Sequence, residues 1–276
     1  METTKKAIKI REDRIINKRR SMLNKTVDIY LPLDSREGPN RVIWPVAMKQ
    51  LKSLLKVIKK CGWEAHVLNS DRPVTSVAEG MKVIKQAKGE RFINFIAGWA
   101  YPDFSVSPMA QLPPEVPKLL LGSANRDFPG NVGLFAAAAG LAHVGIKADR
   151  LFVEKFDNHD YADAIQSFLA KGKYVLPYPK AIEISVSKKH RQKAKKVARA
   201  LRGMIYGAVG PRSMQMWNKI SEADFLSTFG VAREGFDGLR LLKMAEKITD
   251  RRAEKALHFL IRKGMDIRLG KNPVKY

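Results

Sequence analysis

The 276 residues are 45% hydrophobic, enough to bury a sizeable core and, by ordinary domain sizes, to build one large domain or two smaller ones. No apolar run approaches the roughly 20 residues that cross a bilayer, and the charged start lacks the apolar centre of a secretory signal; both classes are set aside and a soluble cytoplasmic protein is expected. Fifty-one Lys and Arg against 27 Asp and Glu give a formal charge of +24, a field that attracts nucleic acid, phosphorylated or sulfated small molecules or acidic protein surfaces without choosing among them.

Residues 1–26 read as a basic arm with isolated apolar positions. A first strand is expected over residues 27–33, followed by a polar loop over 34–41 and a helix over 45–60. The helix repeats apolar residues at Val46, Leu51, Leu54, Leu55 and Ile58 with lysines on the wet side, and Cys61-Gly62 stops it. As the only cysteine, Cys61 has no disulfide partner and belongs to no metal-ligand spacing; it reads as a small buried residue at a helix end. Next come a strand over 63–68, a helix over 74–87 and a strand over 92–96 that runs straight into Gly98-Trp99-Ala100-Tyr101. A Pro-rich link over 108–117 precedes a short strand at 119–121, a Gly-Asn loop and an Ala-rich helix over 132–144. A fifth strand over 151–156 and a helix over 161–170 complete a β/α alternation that predicts an α/β fold, a doubly wound, Rossmann-like parallel sheet in three layers.

A composition shift at 171–179 marks a domain boundary near Lys171, giving an arm over 1–26, an α/β domain over 27–170 and the start of a second α/β domain over 171–276. In the second part a basic helix is expected over 188–202, a strand over 204–209, a loop over 210–217, and helical patterns over 222–228 and 233–269, the latter interrupted near Asp250.

In an open parallel sheet every strand delivers its following loop to the same edge, where ligands bind. Arg36 and Trp99 are therefore expected on one rim. A guanidinium there can fork onto hydroxyls or an anion, or simply be a surface arginine; Trp99 and Tyr101 can stack on a sugar or base face, or Trp99 can pack over its own sheet edge. The loop over 122–131 feeds a helix start, where free N–H groups could take a hydroxyl or anion, although neither phosphate-binding glycine fingerprint is present. His143 reads as a core histidine, and the other histidines are too far apart in sequence to assemble a metal site from local spacing. Asp157 and Asp160 around His159 read as a turn and helix cap. The 188–202 helix could track phosphates, but no nucleic-acid-binding motif accompanies it, so nucleic acid stays an alternative partner.

Taken in order, these pieces resemble the amino-terminal half of the L-fucose isomerase family. The likeness is carried by Asp34-Ser35-Arg36 after the first strand, by Gly98-Trp99-Ala100-Tyr101, and by the loop and Ala-rich helix from Gly122 to His143. A fourth block, Ala208 to Met216 with Phe225 to Gly230 and Asp237, is similar to the family's G-x-x-S-M-G loop, with Gln215 in place of the last glycine. The resemblance implies a sugar aldose–ketose isomerase fold in which this part covers the substrate and forms the oligomer. It implies substrate-binding roles for Arg36, Trp99, Tyr101, Asn125 and Ser213. It also implies that the manganese or other divalent metal of a complete family member, and the carboxylates and histidine that hold it, belong to a later region, so this chain alone is expected to bind no cofactor and to contribute no catalytic residue. A homo-oligomer or a separate carboxyl-terminal isomerase chain is the expected partner.

Overall fold

The computed structural model describes residues 25–124, 130–176, 184–210, 216 and 222–267. Residues 1–24 of the basic arm, Asn125 and Ser213 lie outside the described residues, and Thr26, the last residue assigned to the arm, opens the first strand. Most of the first 183 residues form one compact unit and most of the remainder a second.

The first unit is a five-stranded parallel sheet, β1 (Thr26–Tyr30), β2 (Glu64–Val67), β3 (Arg91–Ile96), β4 (Lys118–Ser123) and β5 (Asp149–Val153), in the order β2-β1-β3-β4-β5. Successive side chains leave opposite faces of a strand. Val27, Ile29, Ile93, Phe95, Leu119, Leu121, Leu151 and Val153 accordingly pack on one face, under α1 (Glu37–Lys60) and α5 (His159–Lys171). Tyr30, Phe92, Ile96 and Leu120 fill the other, under α2 (Val77–Val83), α3 (Asp103–Met109) and α4 (Gly130–His143). Because both faces are covered, β3 and β4 read as nearly continuous apolar runs. The fold is the three-layer α/β sheet that the alternation predicts.

The largest departure from the sequence reading is at the first helix. Its buried stripe of Asn40, Ile43, Ala47, Leu51, Leu54 and Ile58 extends the helical spacing two turns ahead of Pro45, so α1 starts at Glu37 and the polar loop shrinks to three residues, Asp34 to Arg36. Pro39 falls in the first turn, where N–H groups have no intrahelical partner; Pro45 forgoes one interior bond, which the buried stripe offsets. The 74–87 segment is a short α2, capped by the Ser76 hydroxyl accepting from the Glu79 N–H, followed by a 3-10 turn at Ile84–Gln86. Within the region before β4, α3 forms where only a connection was expected. Asn158, between the two aspartates, caps α5 by accepting from the Tyr161 N–H. His143 is exposed at the end of α4 and is not a core residue, since the buried face of that helix is Gly130, Gly133, Leu134, Ala137 and Leu141. Cys61 is half-buried at the end of α1, and burial raises its thiol pKa, which keeps it protonated.

The second unit contains α6 (Lys188–Leu201), β6 (Ile205–Val209), α7 (Glu222–Phe229), β7 (Ala232–Phe236), α8 (Gly238–Ala245) and α9 (Asp250–Arg262), with β6 and β7 paired in parallel. Residues 233–236 are therefore strand, not helix: they pair with 206–209, a long-range contact that overrides the local helical pattern. Among the described residues of this unit only Val231 is buried.

Candidate functional site

The chain leaves β1 for β2 on one side and returns to β3 on the other. This reversal leaves a crevice at the carboxyl ends of β1 and β3, the place where open α/β sheets with this strand order take ligands. The two loops that frame it carry Arg36 and Trp99.

The loop after β1 is rigidly built. Beyond Tyr30 the chain is held by Asn69, whose Oδ1 accepts from the Leu31 N–H at 3.0 Å and whose Nδ2 donates to the Leu31 carbonyl at 3.0 Å, and by Val74, which exchanges backbone bonds with Leu31 and Leu33. It then delivers Asp34, whose carboxylate is 1% exposed. The Arg36 backbone N–H donates to Asp34 Oδ1 at 3.0 Å, its Nε donates to both carboxylate oxygens at 3.1 and 3.2 Å, and its Nη2 donates to Oδ2 at 2.6 Å. Burial on its own would raise the Asp34 pKa, but the hydrogen bonds and charge of Arg36 hold it below the usual carboxylate range. Arg36 remains 68% exposed, so its outer edge faces solvent at the rim. Hydrogen bonding to Asp34 and that carboxylate's charge raise its pKa further, and Tyr101 adds a smaller electrostatic contribution, which puts the phenol within electrostatic reach of the guanidinium.

The loop after β3 is squeezed from two sides. A Cβ on Gly98 would lie 2.9 Å from Ile43 Cγ2 of α1. On the other side α4 begins against the same loop. A Cβ on Gly130 would lie 2.1 Å from the Ile96 carbonyl oxygen, and one on Gly133 would lie 3.1 Å from the Ala100 nitrogen. Glycines three apart on one helix face let the start of α4 seat directly on the backbone that carries Trp99. Of the three residues Trp99, Ala100 and Tyr101, only Ala100 is buried, and both aromatics stay half-exposed. Trp99 and Tyr101 meet edge-on with ring centroids 6.1 Å apart, and Tyr101 packs on Phe104 at 5.2 Å. The buried Tyr30 phenol donates to the Phe104 carbonyl at 2.6 Å, which ties α3 and this aromatic row to β1.

Asn40, in the first helical turn after Arg36, donates its Nδ2 to the Asp34 carbonyl at 2.6 Å while its own Oδ1 is buried without a partner. Asn131 Oδ1, in the first turn of α4, is likewise buried and unpartnered. Such acceptors are uncommon in folded proteins and suit a hydroxyl or water donor. Neither asparagine stood out in the sequence. The buried stripe that includes Asn40 was the available signal, because an amide on an apolar face needs a partner.

The structure thus brings Arg36, Trp99 and Tyr101 to one edge. Two carboxylates of the sheet and its loops are already committed: Asp34 to Arg36, and Asp28 to the His66 ring nitrogen at 2.7 Å and to the Lys88 and Gly89 N–H groups. Among the described residues no group of three or more His, Cys, Asp or Glu is arranged to hold a metal ion.

The family model for the first N-terminal domain of L-fucose isomerase matches residues 24–172, more than half of the chain. The chain belongs to the L-fucose isomerase family. The matched segment includes all five strands of the first unit, and with them both loops of the L-fucose isomerase-like rim. No curated protein matches the chain. Among the described residues no helix is long and apolar enough to cross a membrane.

Proposed function

We propose that the chain is the substrate-covering, oligomer-forming part of a sugar aldose–ketose isomerase, and that the metal and its carboxylates are supplied by another chain or segment. The observation that carries this reading is that the loops after β1 and β3 bring Arg36 to the same sheet edge as Trp99 and Tyr101, with Tyr101 in electrostatic reach of the guanidinium. The guanidinium offers donors to sugar oxygens and the half-exposed rings offer an apolar face. Trp99 acts as a lid over the sugar and leaves the chemistry to groups outside the rim. Asn125 and Ser213 contribute to sugar binding. Residues 27–170 serve as the isomerase-type N-terminal domain and 171–276 as a second, partial α/β domain. The exposed apolar side chains of that second unit, Leu241, Leu242, Phe259 and Leu260 among them, support its assembly with a further copy or a carboxyl-terminal isomerase chain in the cytoplasm.

L-Fucose titrated into the purified protein is expected to perturb the Arg36 side-chain N–H and Trp99 indole N–H resonances, and Arg36→Ala and Trp99→Ala each to weaken the binding. With manganese present, the chain by itself is expected to interconvert no aldose and ketose; robust turnover by the lone chain overturns the covering role. A second reading, nucleic-acid binding, rests on α6, where seven of 14 residues are Lys or Arg, none is acidic and none is buried.

A further inference from the structure

We propose that Asp34 is the positioning residue of the sugar rim: it holds the Arg36 guanidinium in one orientation, so that the remaining N–H donors are presented to the ligand in fixed geometry. This inference rests on the sugar-rim reading above.

A surface arginine spreads over many rotamers, and ordering it on ligand binding costs entropy. Arg36 is already ordered by a carboxylate that has almost no exposure of its own, through three side-chain contacts and one from its backbone. The carboxylate is held in turn: the chain before it is fastened by Asn69 and Val74, and the Asp34 carbonyl accepts from Asn40. Asp34 engages Nε and Nη2, one edge of the planar fork, which leaves Nη1 and the outer side of Nη2 for sugar oxygens. The spacing explains the arrangement. With one residue between them at a strand end, carboxylate and guanidinium close a short ring that includes the Arg36 backbone N–H, immediately before α1 begins. The neighbouring charges, Glu37 and Arg41, pair with each other one helical turn apart and do not compete for the fork.

The test combines a double-mutant cycle with a side-chain exchange measurement on the full chain. Asp34→Asn is expected to weaken L-fucose binding about tenfold, in line with the loss of a charge-assisted hydrogen-bond network. In the Arg36→Ala background the same substitution is expected to change affinity no further, because Asp34 acts only through Arg36. Arg36→Lys, which keeps the charge and loses the fork, is expected to bind as poorly as Asp34→Asn. Equal losses from Asp34→Asn with and without Arg36 overturn the proposal and make Asp34 a merely structural residue. The Arg36 Nε–H exchange rate decides the pinning without any sugar: slow exchange in the wild type that becomes fast in Asp34→Asn supports it, and the same rate in both proteins overturns it. Absence of L-fucose binding by the wild type overturns the sugar-rim reading itself, and leaves the exchange result to decide the role of Asp34 in ordering Arg36.

Discussion

Replacing Gly130 with alanine tests whether the Trp99 loop is held by the start of α4. The added Cβ would stand 2.1 Å from the Ile96 carbonyl oxygen and 3.0 Å from the Ala97 carbonyl carbon, both backbone atoms that no rotamer change can move aside. Relief requires a shift of about 1 Å between α4 and the end of β3, in a core where Leu134, Ala137 and Leu141 are already buried under the sheet. Overpacking of this kind costs about 1–3 kcal/mol, and a backbone clash this short belongs at the upper end, about 3 kcal/mol. For a domain of this size that corresponds to a fall in Tm of about 6–12 °C. Thermal unfolding followed by far-UV circular dichroism reads it. Gly38→Ala is the control, since a Cβ there meets nothing within 4 Å and alanine favours the first turn of α1; it is expected to leave Tm unchanged or raise it slightly. A Gly130→Ala protein melting within 2 °C of the wild type (about 1 kcal/mol or less) refutes the packing argument.

Leu54→Ala, at a fully buried position of α1, is expected to lose about 2–5 kcal/mol in urea unfolding, and a loss below about 1 kcal/mol contradicts the core assignment. The Asp34 pKa is lower in the folded protein than in the unfolded chain. Its contribution to stability is therefore complete above the ordinary carboxylate value of about 4 and is lost as pH falls through the lowered folded value. The stability gap between wild type and Asp34→Asn should be constant between about pH 6 and 8 and close in acid; a gap unchanged at about pH 2 counts against the ion pair. Replacing Lys189, Arg191 and Lys195 of α6 with alanine tests the nucleic-acid reading. If α6 tracks phosphates, the slope of log affinity against log salt for a generic duplex falls by about 3 units; an unchanged slope removes α6 from that role.

The β/α alternation by itself determined the layered parallel sheet, because apolar runs of five or six residues separated by amphipathic helices can be buried only between two helical layers. It also determined that Arg36 and Trp99 share an edge, since every strand of a parallel sheet ends on the same side. The residues that carried the family resemblance fall in both units; in the matched domain Asp34-Ser35-Arg36 and Gly98 to Tyr101 lie on the two loops at the crevice, and Gly130 to His143 form α4. Tertiary structure decided what local pattern does not encode. The strand order, and with it the crevice between β1 and β3, depends on which strands pair across long intervals of sequence. Residues 233–236 became strand through pairing with β6, and α1 began at Glu37 despite Pro45 because its buried stripe found the sheet. The orientation of Arg36 was decided in the same way. A guanidinium two residues from a carboxylate is unremarkable in a sequence, and only burial of Asp34 by the surrounding fold turns that neighbour into a fixed anchor at the rim.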